Sequence, residues 1–253
     1  MSKSWAYSAL LMSGLLASGC SWLNAKLMYV PMREHAIPTP GNVQEVMIGP
    51  VHAWYFAGDP VVLLCHGNGG NISHRLEKLR LIKRAGAGAL IFDYRGYGKS
   101  EGTPSEKHTY EDGEAAYRWL ASTTTARIVL YGESLGGGVA TELATRVPAA
   151  GLVLDSAFTS ALDMGKRIFP WLPVRLLVRY KYDNLAKIAA VKMPVLVMHS
   201  PQDEIIPYDM GRRLFEAAPG KKAFVEMRGG HNDGFYLSRD AYVDGLKSFF
   251  AAL

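Results

Sequence analysis

Short apolar runs alternate along most of the chain with longer stretches in which apolar positions recur at a helical period. The short runs are predicted strands, at 61–65, 89–92, 128–131, 152–154, 195–199 and 223–227. The longer stretches are predicted helices, at 74–85, 109–122, 135–147, 210–217 and 241–251. Strands that are apolar throughout are typical of a sheet buried on both faces. The pattern therefore predicts an α/β fold, with a mostly parallel, doubly wound sheet covered by helices on both sides.

The region before this alternation has a different pattern. Residues 43–48 and 51–57 are strand-like and are separated by Gly49-Pro50, which predicts an antiparallel ribbon at the start of the domain. Residues 20–42 contain three prolines and show no clear period, so they are interpreted as a tether. The sequence thus predicts one domain over 43–253, preceded by this tether.

One stretch, 156–190, departs from the alternation because it is strongly apolar and is divided by Pro170 and Pro173. Long insertions of this kind are often functional, and this one is interpreted as a small helical cap over a site. The alternative is an ordinary crossover helix packed on the sheet.

Composition limits the classes of function. The chain has 253 residues, of which 49% are hydrophobic, enough for one large buried core. Its formal net charge is +5, from 28 basic and 23 acidic residues, and no dense Lys/Arg block is present. Nucleic acid is therefore not expected as a partner. Cys65 falls inside a predicted buried strand and is expected to be an inert core thiol.

The first residues have the pattern of an export signal. Lys3 is followed by an apolar stretch at 6–16 and by small residues at 17–19, which predicts a signal peptide over 1–19. Leu16-Ala17-Ser18-Gly19-Cys20 resembles the lipobox of bacterial lipoproteins. This resemblance implies acylation of Cys20, a membrane anchor, a location in the cell envelope facing the periplasm or the outside, and no disulfide with Cys65. The alternatives are an ordinary signal peptide or an uncleaved anchor.

The sequence Gly132-Glu133-Ser134-Leu135-Gly136 is the strongest candidate for chemistry. It is a G-x-S-x-G segment between a β-branched run and a helix-like run, the context in which a serine lies on a sharp turn with its hydroxyl exposed. Ser134 is therefore predicted to be a nucleophile.

A serine nucleophile needs a base and an acid that orients the base. His231 is predicted to be the base because it lies in a glycine-framed loop just after the last predicted strand. Asp203 and Asp155 both follow predicted strands in the order Ser, Asp, His. Asp203 is favoured because its loop leaves the carboxylate free to reach His231. Asp155 remains the alternative, and would otherwise support the cap.

An oxyanion hole requires two backbone N–H groups. They are predicted at Leu135, directly after the nucleophile, and at Asn68 in the glycine-rich loop 66–71. This loop lacks the spacing of a phosphate or dinucleotide motif, so nucleotide binding is not expected. No closely spaced metal ligands are evident, and no metal or other cofactor is predicted.

From about residue 43 onward the chain resembles the α/β-hydrolase superfamily. The motifs that carry the resemblance, all in order, are His66-Gly67-Asn68-Gly69-Gly70, the stretch 93–100, the Ser134 segment, Asp203 with Pro207, and Gly230-His231. Residues 155–160 and 170–173 are similar to small-cap members that include membrane-attached acyl-protein thioesterases. The resemblance implies an α/β-hydrolase fold, with Asp93 in a structural role.

The resemblance also implies hydrolysis of an ester or thioester in a small-molecule or acylated substrate. The alternatives are a serine peptidase or perhydrolase on the same three residues, or a non-catalytic binding module of this fold. Five basic residues between Asp163 and Asp183 are interpreted either as a membrane contact or as a solvated basic face.

Overall fold

The computed structural model describes residues 28–253. The predicted signal peptide, Cys20 and the start of the predicted tether lie outside the described residues. Within 28–253, no helix has both the length and the apolar character needed to cross a bilayer.

Eight strands form one sheet in the order β8-β7-β6-β5-β3-β4-β2-β1. The strands are β1 Gln44–Ile48, β2 Val51–Phe56, β3 Val61–Cys65, β4 Gly88–Phe92, β5 Ile128–Glu133, β6 Gly151–Asp155, β7 Val195–His199 and β8 Lys222–Glu226. Strands β3 to β8 are parallel to one another, whereas β2 is antiparallel to both β1 and β4. The predicted mostly parallel sheet with an antiparallel N-terminal ribbon is confirmed.

Nine α-helices connect or follow these strands in residues 28–253, and a short 3-10 helix, Ile72–Arg75, precedes the first. They are α1 Leu76–Arg84, α2 Glu106–Thr123, α3 Leu135–Ala144, α4 Ala161–Ile168, α5 Val174–Leu177, α6 Asn184–Ile188, α7 Tyr208–Ala217, α8 Gly234–Leu237 and α9 Arg239–Ala251. Helix α3 ends at Ala144, three residues earlier than predicted. Pro148 has no N–H to donate to the carbonyl of Ala144, and its ring would clash with that carbonyl in a continued helix.

The sheet separates two apolar cores. Successive residues of a strand face opposite sides, so Leu63 packs in the core under α2 and α3, whereas Leu64 packs in the core under α1 and α9. Both side chains are fully buried. Burial on both faces explains why the central strands are apolar along most of their length.

Two segments lie outside this framework and approach the carboxyl ends of the strands. Val30–Pro31 pairs in parallel with Gly69–Gly70 on the loop after β3. The insertion predicted as a cap divides in two: α4 and α5 border a large cavity, while α6 packs against α3 and α7 as a crossover helix does. The interpretation as a cap therefore describes α4 and α5, and the interpretation as a crossover helix describes α6.

Candidate active site

Ser134 lies on the turn between β5 and α3 in a strained backbone conformation, with φ of 52° and ψ of −115°. The turn is tight enough that a Cβ at Gly136 would lie 1.9 Å from the carbonyl oxygen of Cys65. A Cβ at Gly132 would lie 2.5 Å from the Gly136 oxygen. Only glycine fits at either position, which explains both flanking glycines of the motif. Strain of this kind persists where surrounding packing enforces it, as it commonly does at active sites.

His231 lies in the loop between β8 and α8, and its ring reaches the serine. The distance from His231 Nε2 to Ser134 Oγ is 3.0 Å, which is hydrogen-bonding distance. The backbone N–H of His231 donates to Glu204 Oε2 at 3.0 Å, so Glu204 helps to fix the loop. The imidazole is thus held where it can exchange a proton with the hydroxyl.

Asp203, rather than Asp155, lies beside His231. His231 Nδ1 is 2.8 Å from Asp203 Oδ2, and the backbone N–H groups of Ile205 and Ile206 donate to Oδ1. His199 Nε2 is 3.3 Å from the same Oδ2. Burial raises the pKa of Asp203, but hydrogen bonds from His199 and His231 outweigh it and hold the pKa well below its usual range. The carboxylate is therefore ionised and able to orient the imidazole.

Asp155 has a different position from the one expected. Its Oδ2 accepts hydrogen bonds from Lys78 Nζ and from the Tyr131 hydroxyl, both at 2.6 Å. The carboxylate therefore contacts residues of α1 and β5, and it is not the acid beside His231. Its support of the cap stays a prediction: Asp155 Oδ1 accepts from the hydroxyl of Ser156, the first residue of the predicted cap, at 3.4 Å.

The two predicted oxyanion donors lie on the wall of the cavity that Ser134 enters. Leu135 is the first residue of α3, and an N–H in the first helical turn has no partner within the helix. The Asn68 side chain is occupied: its Oδ1 accepts from Val30 N–H and from the Tyr97 hydroxyl, and its Nδ2 donates to the Met28 carbonyl. The candidate donor at Asn68 is therefore its backbone N–H.

A buried charge network lies beneath the serine. Glu133 Oε2 is 2.9 Å from Arg75 Nε, and Glu133 Oε1 is 3.4 Å from Lys78 Nζ. Glu133 Oε2 also accepts from Gly67 N–H at 3.4 Å, which joins the serine turn to the glycine-rich loop. Burial raises the pKa of Glu133, but the charges of Arg75 and Lys78 hold it well below its usual range. The network fixes both walls of the candidate oxyanion hole.

The sequence did not predict the roles of Glu133, Lys78 or Glu204. Glu133 occupies a variable position of the G-x-S-x-G motif, and Lys78 is one of two lysines in an otherwise ordinary amphipathic helix. For Glu204, the one feature visible in the sequence was its position next to Asp203 on the same loop, and charged residues on loops are usually solvated.

A cavity of about 1020 Å³ opens above Ser134. Its walls are mainly apolar and include side chains from the N-terminal segment, α4 and the loop that follows α4. Representative lining residues are Met28, Met32, Met164, Phe169, Leu172 and Val178. Arg75, Lys78, Arg179 and His231 add polar and cationic groups to the lining. The cavity therefore combines a large apolar volume with a nucleophile and several cations.

Comparisons with known proteins identify related chains. A model of the alpha/beta hydrolase family matches residues 62–186. The Alpha/beta hydrolase domain-containing protein WAV2 of Arabidopsis thaliana is 31% identical over 274 aligned residues, covering 89% of this chain and 87% of WAV2. The Lysophosphatidylserine lipase ABHD12 of Rattus norvegicus is 30% identical over 205 residues, covering 71% of this chain and 52% of the lipase.

A solved structure has the same fold as this chain. The esterase Pf2001 of Pyrococcus furiosus superposes with a TM-score of 0.73, covering 89% of this chain and 97% of the esterase. The two sequences are 19% identical, so the likeness concerns the fold alone.

Proposed function

The chain belongs to the α/β-hydrolase family, and on that basis we propose that it is a serine hydrolase that cleaves esters or thioesters of long acyl groups. One observation carries the proposal: a hydroxyl, an imidazole and a carboxylate are linked in series, at 3.0 Å and 2.8 Å, at the wall of a large apolar cavity. The rat relative is named a lipase, and lipases hydrolyse esters, which agrees with the proposal.

The proposed reaction is acyl transfer to water in two steps. Ser134 Oγ attacks the substrate carbonyl carbon while His231 Nε2 accepts the hydroxyl proton, and the Asp203 carboxylate stabilises the resulting imidazolium. The backbone N–H groups of Asn68 and Leu135 donate to the oxyanion. The imidazolium returns the proton to the leaving alkoxide or thiolate. In the second step His231 deprotonates water, which releases the acid and restores Ser134.

The cavity supports a substrate with a long acyl chain. Its lining includes three methionines, Met28, Met32 and Met164, whose unbranched side chains adapt their shape to a flexible chain. Arg75 and Arg179 would attract an anionic group on the leaving part of the substrate. The name of the rat relative, a lysophosphatidylserine lipase, agrees with such a single-chain anionic lipid. An acylated peptide or protein thioester is the second candidate, favoured by the similarity of the cap sequence to thioesterases.

Hydrolysis of a graded series of esters and thioesters tests this function. We expect p-nitrophenyl esters to be cleaved faster as the acyl chain lengthens from acetate, and Ser134→Ala to abolish cleavage. Ser122→Ala, a change of the same type at an exposed serine, is the matched control and should leave the rate unchanged. Full activity in Ser134→Ala would refute the nucleophile. Cleavage of amides but not esters would favour a peptidase, and no turnover at all would favour a binding module.

We also propose that Cys20 carries a lipid that anchors the protein in the cell envelope after removal of residues 1–19. The support is the lipobox-like sequence alone. Growth of the producing bacterium with a clickable palmitate analogue should label the chain, and Cys20→Ser should remove the label while Cys65→Ser keeps it. Labelling that survives Cys20→Ser would contradict the anchor.

The exposed face of the cap supports contact with a membrane surface. The side chains of Ile168, Phe169 and Trp171 are 58%, 43% and 75% exposed, and the basic residues Lys166 and Arg167 precede them. Apolar groups flanked by cations are typical of interfacial binding. Trp171→Ser should weaken binding to anionic vesicles, whereas unchanged binding would favour the alternative of a solvated basic face.

A further inference from the structure

Two histidines and an aspartate from distant parts of the sequence meet at the β2 side of the sheet. His35 lies before the sheet, His52 lies on β2, and Asp93 follows β4 directly. One donor atom from each lies within 4.8 Å of the other two. Asp93 Oδ2 is 3.2 Å from His52 Nδ1 and 3.5 Å from His35 Nε2. The side chains of Asp93 and His52 are buried, and that of His35 is only 10% exposed.

The hydrogen bonding of His52 leaves a nitrogen that needs a positive partner. Glu45 Oε1 lies 2.6 Å from His52 Nε2, and because a carboxylate only accepts, Nε2 must carry the proton. In a neutral imidazole the lone pair of Nδ1 then faces Asp93 Oδ2, which is itself an acceptor. Two lone pairs at this distance repel each other unless a proton or a metal cation lies between them.

His35 favours a metal ion over a proton. Its Nε2 is buried and, within residues 28–253, makes no hydrogen bond. A proton on His52 Nδ1 would satisfy His52 and Asp93 but would leave His35 Nε2 without a partner. A metal ion would bond to all three side chains at once.

We infer that His35, His52 and Asp93 form a site for a divalent transition-metal ion, for which Zn²⁺ is the best match. Zn²⁺ bonds nitrogen and oxygen ligands at about 2.0–2.1 Å in tetrahedral geometry, which places neighbouring ligand atoms about 3.3 Å apart. The observed separations of 3.2 Å and 3.5 Å agree with this value. Glu45 is the outer carboxylate that orients a metal-binding histidine, and water would supply the fourth ligand. The expectation of no metal is therefore replaced by this proposal.

The position of the site indicates a structural role. Asp93 Oδ1 accepts from Ile72 N–H, at the end of the glycine-rich loop. Asn71 Nδ2 donates to the carbonyls of Met32 and Glu34, on the same N-terminal segment as His35. A metal ion would thus fasten the N-terminal segment to the sheet and to this loop, and would hold Met32 in the cavity wall.

Metal binding to the full-length chain, without a histidine tag and after treatment with a chelator, tests the inference. We expect uptake of one equivalent of Zn²⁺, a rise in the melting temperature, and no effect of Mg²⁺. Co²⁺ should give the intense visible absorption of a four-coordinate ion. His35→Ala should abolish the Co²⁺ spectrum and the stabilisation. Glu45→Gln should weaken binding by about 10- to 100-fold. His108→Ala, at a histidine bound to the Thr103 carbonyl, is the matched control and should bind as the wild type does.

Two results would overturn the inference: a folded wild-type chain that takes up no Zn²⁺ or Co²⁺, and binding that is unchanged in His35→Ala. Circular dichroism reports whether each variant is folded. If His35→Ala does not fold, the Co²⁺ affinity of Glu45→Gln decides, because this change leaves all three ligands in place. Unchanged affinity in that variant would contradict the proposed role of Glu45 and, with it, the site.

Discussion

Replacement of Lys78 by methionine tests the buried charge network beneath Ser134. The Lys78 side chain is 3% exposed, and its Nζ lies 2.6 Å from Asp155 Oδ2 and 3.4 Å from Glu133 Oε1. Methionine keeps the length and apolar stem of lysine but removes the charge. Glu133 retains Arg75 as a partner, whereas Asp155, also 3% exposed, keeps only hydroxyl donors.

The expected loss of stability follows from this imbalance. Removal of one partner from a buried ion pair costs about 3–5 kcal/mol, because the other charge is left without compensation. This is a large fraction of the roughly 5–15 kcal/mol that stabilises an ordinary domain. Asp155→Asn in the same chain removes the uncompensated charge, so the double variant should regain much of what Lys78→Met loses.

Urea denaturation followed by circular dichroism measures the free energy of unfolding of the wild type, both single variants and the double variant. Lys83→Met, at an exposed lysine on the same helix, is the control and should change stability by no more than about 0.5 kcal/mol. A loss below about 1 kcal/mol in Lys78→Met, or strictly additive losses in the double variant, would show that Lys78 does not compensate the Asp155 charge.

Three further predictions concern the serine turn, the acid and the pH dependence of stability. Gly136→Ala should lower the melting temperature and the esterase rate together, because its Cβ would lie 1.9 Å from the Cys65 oxygen; a variant with wild-type melting would contradict the tight turn. Asp203→Asn should leave the fold intact but lower kcat by about 10⁴, because the imidazole loses its orienting charge; a loss below tenfold in steady-state kinetics would point to another acid. In the metal-free chain, burial raises the pKa of Asp93, but the neighbouring imidazoles of His35 and His52 bring it to about 2. Its contribution of about 2 kcal/mol should therefore be complete above about pH 4 and be lost progressively as the pH falls to about 2 and below. Acid denaturation should show this loss in the wild type and not in Asp93→Asn.

The sequence was sufficient to predict the fold because the sheet is buried on both faces. Central strands such as β3 and β4 are apolar at every position, and glycine or proline residues separate several of the elements. The order of the serine, the acid and the histidine was also predictable, because residues at the carboxyl ends of parallel strands meet at one edge. The choice between the two acids was less secure, since both follow strands and only the direction of the side chain distinguishes them.

The features that sequence could not predict depend on side chains that meet from distant positions. Lys78 and Asp155 are 77 residues apart, and His52 and Asp93 are 41 residues apart. Neither pair has a spacing that marks a motif. These polar residues form a charge network and a candidate metal site because the fold buries them next to each other. Whether an individual side chain is buried depends on tertiary packing, which the periodicity of the sequence does not show.

The most direct test of the central claim is to identify the residue that reacts with a fluorophosphonate probe, by mass spectrometry of the digested protein. We predict one adduct, on Ser134, which forms in the wild type and is strongly reduced in His231→Ala, because the hydroxyl then lacks its base at 3.0 Å. An adduct on a different residue, or undiminished labelling of Ser134 without His231, would contradict the proposal that these groups act together.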